Sequence, residues 1–168
     1  MTDPDHNQVL LKDGVKEAEE QRLFFIFFDG KEAYAVHPDT VVEVATKIKP
    51  TQVPFTPDWV EGVVCLRGEI VPVLDLDRYF RFANVGTKQR NRIILLELEG
   101  NFFAVWSDRI HGVENIDESV MEPPLGNLPD SLLKCMAGQF RLKDVLVYYL
   151  DLPKLLEETR MQVGSHQA

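Results

Sequence analysis

An all-β fold built as two packed barrels with short peripheral helices is the class this sequence predicts, and three observations carry the prediction. The first is internal repetition. Residues 61–76 and 137–152 align without a gap, pairing Gly62 with Gly138, Leu66 with Leu142, Val71 with Val147 and Leu74-Asp75-Leu76 with Leu150-Asp151-Leu152. Upstream of each copy lies another pair of strand-like runs around a tight turn. With one residue of slippage Tyr34-Ala35-Val36 meets Phe103-Ala104-Val105, Val41 meets Ile110 and Val44 meets Val113. The second observation is that Ile70, Val71, Val73 and Leu74 place apolar side chains on both faces of one strand, so neither face can be left in water. The third is punctuation: short β-rich runs are separated by Gly-containing turns and Pro-rich connectors.

Each element follows from local chemistry. Residues 1–20 are polar and acidic with weak helical periodicity, and are expected as a tail or a short peripheral helix. The folded domain is expected over 21–160, with a second tail over 161–168. It opens with a hairpin, LFFIFF and EAYAV about Asp29-Gly30. His37-Pro38-Asp39 then breaks the strand, and TVVEVA is ambiguous: on a helix Val41, Val44 and Ala45 share a face, on a strand Val41 and Glu43 do. Pro50, Pro54 and Pro57 make 48–58 an extended connector. It delivers the chain to the central hairpin over 59–76, which reverses at Arg67-Gly68. There Pro72 cannot donate to a ladder, so an edge or bulge position is expected for it. Asp75 is placed to N-cap the short helix LDRYF. Residues 81–92 make a polar linker, and the cations Arg78, Arg81, Lys88, Arg90 and Arg92 are expected to be a solvated linker, with a further contact face as the alternative. The second half repeats the plan: a hairpin about Glu99-Gly100, then SDRIHGV, a connector with Pro123, Pro124 and Pro129, and a twin hairpin over 138–150. Asp151-Leu152-Pro153 opens a terminal helix.

Composition narrows the function. A chain of 168 residues that is 45% hydrophobic can bury a real core. Its net charge of −9 argues against a nucleic-acid surface, which requires a concentrated basic footprint. MTDPDHNQ lacks the cationic start and apolar run of a secretory signal, and 24–28 is too short to span a bilayer. Cys65 and Cys135 show no metal-ligand spacing and are expected as reduced, small hydrophobic side chains in a cytoplasmic protein. There is no Walker-type loop, HExxH or GxSxG, and His6, His37, His111 and His166 are dispersed. Asp75 and Asp77 resemble an acid/base pair, but Asp75, echoed by Asp151, is better explained as a helix cap. The expectation is a protein that is not an enzyme and has no cofactor or metal.

The run WVEGVVCLRGEIVPVLDL resembles the signature of the CheW-like family, typically Gly-Val-x-Asn-Leu-Arg-Gly-x-x-x-Pro-Val-x-Asp-Leu, and the likeness extends over roughly 21–159. Cys65 stands where the family usually has Asn. The resemblance implies two intertwined five-stranded SH3-like barrels sharing a core. It also implies a non-catalytic adaptor that couples the cytoplasmic tips of chemoreceptors, the methyl-accepting chemotaxis proteins, to the regulatory domain of a CheA-type histidine kinase. Such a protein is cytoplasmic, is recruited to membrane-associated arrays, and can join rings of CheW-like domains. Carried over residue by residue, the family's Leu-Arg-Gly arginine falls on Arg67 and a glutamate of the valine-rich segment on Glu43, as a charged pair at partner interfaces. Gly62 matches the glycine before the strand. Val41 and Val44 match the groove that receives the receptor's helical hairpin, with Ile110 and Val113 as their counterparts. The competing reading is a tandem SH3-like interaction module that regulates another enzyme outside chemosensing.

Overall fold

The computed structural model describes residues 20–82 and 89–166. Among the described residues, ten strands and three α-helices run in the order β1 Gln21–Asp29, β2 Glu32–Val36, β3 Val41–Thr46, β4 Val60–Leu66, β5 Glu69–Leu74, α1 Leu76–Phe80, β6 Arg92–Leu98, β7 Asn101–Ser107, β8 Arg109–Asp117, α2 Asp130–Lys134, β9 Met136–Leu142, β10 Val145–Leu150 and α3 Leu152–His166. They form two five-stranded sheets, β8-β1-β2-β10-β9 and β3-β6-β7-β5-β4, each curled into an SH3-like barrel. Replacing every strand by its counterpart in the other copy, β1 by β6 through β5 by β10, turns one order into the other. The barrels are therefore not one per sequence copy. Each takes one copy's leading hairpin and three strands of the other.

This exchange explains the apolar residues on both strand faces. Phe24, Ile26, Phe28, Ala33, Ala35, Phe140 and Val147 fill the first barrel, and Val64, Leu66, Val71, Val73, Ile93, Leu95, Ala104 and Trp106 fill the second. The alternate residues of the same strands, among them Phe27, Tyr34, Val36, Leu74, Ile94, Phe103, Tyr148 and Leu150, meet α1, α2 and α3 in a third core between the barrels. A strand shared by two cores buries both faces where it lies between them, as β5 does over Val71, Val73 and Leu74; Ile70, expected to be buried, stands at the hairpin end of β5 beyond both cores and is 76% exposed. The two halves also match in register. Val41 pairs with Leu96 and Ile110 with Phe27, Val44 with Ile94 and Val113 with Phe25, and both ladders carry a bulge just after the first of these pairs.

Local expectations fare unevenly. The turns Arg67-Gly68 and Glu99-Gly100 have positive φ at both positions (53° and 79°, 51° and 78°), the geometry that suits two-residue hairpins to twisted strands. The first hairpin reverses one residue later than expected, at Gly30-Lys31. Of TVVEVA, Thr40 ends a 3-10 turn at Pro38–Thr40 and the rest is a strand, β3. Pro72 sits in a strand with neighbours on both sides, not at an edge. The parallel β7 ladder, however, registers only Val73 and Leu74, so the proline removes no bond from it. Helix α2 adds an element to the expected plan, and residues 161–166, expected as a tail, continue α3. Residues 1–19, with His6, and Lys88 of the cationic linker lie outside the described residues.

Candidate protein-interaction surface

Two of the four edge strands, β3 and β8, carry Val41, Glu43, Val44, Ile110 and Val113. In β3, which bounds the second barrel, Val41 is half-buried against the inter-barrel core while Val44 is 40% exposed. In β8, which bounds the first, Ile110 is half-buried against the same core and Val113 is 53% exposed. The four residues thus divide into two anchors and two solvent-facing valines at equivalent positions. A valine held outward on an edge strand, with its neighbours fixed to a core below, is a rigid apolar contact that a partner can cover without rearrangement.

Beside Val44, Arg67 Nε donates to Glu43 Oε2 at 2.8 Å, joining the tip of the β4–β5 hairpin to β3. Their side chains are 58% and 31% exposed, so the pair contributes about 0–1 kcal/mol to stability and its worth lies in presenting charge at a fixed place. The pair forms with Cys65 two residues before Arg67, and the Cys65 side chain points outward. Gly62 belongs elsewhere. It is buried at φ 147°, and an added Cβ would stand 2.4 Å from the Thr51 carbonyl oxygen, where the connector after β3 bridges to β4 and closes the barrel. Its glycine is required by close backbone approach, so Gly62 is a support of the surface and not a contact on it.

The remaining polar chemistry is local or buried. His37 Nδ1 accepts from the Asp39 backbone N–H and His111 meets Glu114 at 2.8 Å. Burial pushes the Cys135 thiol up to about 11, despite the opposing effect of its hydrogen bond with Tyr79, and burial likewise raises the Tyr79 hydroxyl. A thiol held protonated in this way is a poor nucleophile. A cavity of about 920 Å³ between α1, α2 and α3, with Trp59, Tyr79, Lys134 and Gln162 in its wall, lies apart from the seven predicted residues. Among the described residues no group of three or more His, Cys, Asp or Glu is placed to hold a metal ion.

The class defined by this fold and surface is a strand-exchanged double β-barrel with paired apolar edges and a charged hairpin tip. Residues 24–160 match the CheW-like domain, and the chain belongs to that family. It is 31% identical over 156 residues to the chemotaxis protein CheW of Thermotoga maritima, covering 92% of this chain and 97% of that protein. It is 29% identical to protein FrzA of Myxococcus xanthus, covering 87% of this chain and 92% of the other. Among solved structures, the scaffolding protein TtCheW from Thermoanaerobacter tengcongensis superposes with a TM-score of 0.68 at 28% identity, covering 79% of this chain and 90% of that one.

Proposed function

We propose that this protein is a non-catalytic adaptor that couples chemoreceptors to a CheA-type histidine kinase in a bacterial chemosensory array. The receptor's helical tip packs across Val41, Val44, Ile110 and Val113, with the Glu43–Arg67 pair at the rim discriminating among partners. The observation that carries this reading is the twin exposure of Val44 and Val113 on two edge strands of a CheW-like fold, each anchored by a half-buried neighbour. Relatives named chemotaxis protein CheW over most of the chain favour this role over a module acting outside chemosensing. The protein works in the cytoplasm beside the receptors and joins rings with other CheW-like domains. Among the described residues no helix is long and apolar enough to cross a membrane.

The test is kinase autophosphorylation with receptor-bearing membranes, run with and without this protein. Addition is expected to bring the kinase under receptor control, and Val44→Asp or Val113→Asp to abolish that control. Each variant should keep its unfolding free energy within about 1 kcal/mol of the parent, as expected for surface substitutions. Folded variants that couple normally would remove these valines from the interface. A parent protein with no effect on the kinase would remove the adaptor role itself.

A further inference from the structure

The cationic linker was expected to be solvated, yet its last residues are built into the junction between the barrels. The Arg90 side chain is only 17% exposed. Its Nη1 donates to Asp75 Oδ2 at 2.7 Å and its Nη2 to Asp29 Oδ2 at 3.4 Å, with Glu61 Oε2 at 4.0 Å. Asp75 follows β5 of the second barrel and caps α1 through the Arg78 amide, whereas Asp29 ends β1 of the first. One guanidinium therefore bridges strand ends of both barrels. Burial disfavours its charge, but the bond to Asp75 and the charges of Asp29, Asp75 and Glu61 outweigh that, so it stays protonated. Two residues on, Arg92 Nη1 donates at 2.8 Å to the carbonyl of Asp108, where the chain crosses from β7 to β8. The Asp108 carboxylate in turn accepts from the Gly30 amide at 3.2 Å.

The other crossing, from β2 to β3, is held differently. Among the described residues its side-chain hydrogen bonds are local, Thr40 Oγ1 to the His37 carbonyl and the Asp39 amide to His37 Nδ1. The polar clasp thus stands on one side of the junction. It also lies in the path between the edge strands β3 and β8. Arg90 runs directly into β6, whose first residue Arg92 pairs with Thr46 of β3, while its side chain grips the end of β1, the neighbour of β8.

We propose that Arg90 is a positioning residue for partner docking: its bonds to Asp29 and Asp75 hold the two barrels at one angle and so fix the spacing between the edges β3 and β8. The proposal rests on the reading that one partner spans both edges. It adds that receptor recognition depends on a side chain the receptor does not touch. A planar, two-armed donor suits this duty, because it constrains direction as well as distance, which a lysine ammonium cannot do.

The test uses the full chain with Cys65 replaced by Ser and spin labels at Thr46 and Asn115, which are exposed, equivalent positions on β3 and β8. Electron–electron distance measurement should give one narrow distribution in the parent. Arg90→Met, which keeps the stem and removes the charge, should roughly double its width, as for a hinge set loose. Arg90→Lys and Asp29→Asn should lie between the two. They also carry the test if Arg90→Met does not fold. On unlabelled protein, affinity for a receptor-tip fragment should fall about tenfold in Arg90→Met, the cost expected when a docking surface loses its pre-organisation. Distributions in the variants that superimpose on the parent's would overturn the proposal. A parent that fails to bind the fragment would instead remove the adaptor reading, while the distance result still decides the role of Arg90.

Discussion

In the second barrel the connector after β3 passes so close to β4 that the Thr51 carbonyl fills the space a Cβ on Gly62 would need. In the first, the equivalent approach at Gly138 is made by the Met121 side chain, with its sulfur 2.8 Å from an added Cβ. Both connectors bridge to their strands in the same way, Thr51 with Val63 and Glu122 with Gln139. The backbone plan is duplicated and the contacts that lock it are not. The same contrast recurs at the helix caps. Asp75 and Asp151 each accept from the amide three residues on, but Asp75 is buried against Arg90 while Asp151 is partly exposed beside Lys154. It recurs again where Trp59 and Cys135 offer their carbonyls to the amides of Asp75 and Asp151 and both meet Tyr79, one edge-on at 5.1 Å and the other through its thiol. The Glu43–Arg67 pair has no charged equivalent, since the matching positions hold Gly112 and Lys143. Repetition of main-chain pairing needs only periodicity and turns. A charge or a tight approach depends on individual side chains, and those can differ between copies at no cost to the ladder.

The strongest way to break this contrast is at the closing glycines. Gly62→Ala should destabilise by about 2–5 kcal/mol, because it combines a backbone conformation that suits glycine with a clash against a carbonyl that cannot rotate away. Gly138→Ala should cost less than about 1 kcal/mol, since a methionine side chain can move aside. Denaturant unfolding of the two variants under one set of conditions decides it, and equal losses would mean that the barrels close alike.

A smaller effect separates Cys135 from its counterpart Trp59. Burial pushes the folded thiol up to about 11 from the 9.0 of a free one. Stability from keeping it protonated is therefore complete below pH 9 and is lost as pH rises through about 11, by up to about 3 kcal/mol. Cys135→Ala should make the stability profile shallower between those values, leaving the decline above pH 10 that comes from the raised Tyr34, Tyr79 and Tyr148 hydroxyls. In the native protein a thiol reagent at neutral pH should modify exposed Cys65 and spare Cys135, and modification of both would contradict the burial.

Smallest of all, Arg67→Ala should change unfolding free energy by about 0–1 kcal/mol, no more than Lys143→Ala at the matching hairpin tip. A loss well above that would make the Glu43–Arg67 pair a structural strut. A sharp fall in partner affinity with stability unchanged would mark the charged tip as the feature that gives the second barrel its own task.

Much of this protein was determined by the sequence alone. Alternation along the strands, the Arg67-Gly68 and Glu99-Gly100 turns and the caps at Asp75 and Asp151 are local, each depending on residues a few positions apart, and the internal repeat shows when the chain is aligned with itself. The seven candidate residues came from the resemblance, and six of them lie on β3, on β8 or at the β4–β5 hairpin tip, while Gly62 is buried in β4. Tertiary structure decided the rest. It assigned strands to barrels by exchange between copies, made VVEVA a strand by pairing it with β6, drew Gly62 beneath the connector, and buried Arg90 against acids 61 and 15 positions away in the chain. These outcomes depend on which distant segments pack together, and the free energy of such packing is carried by contacts that no window of neighbouring residues contains.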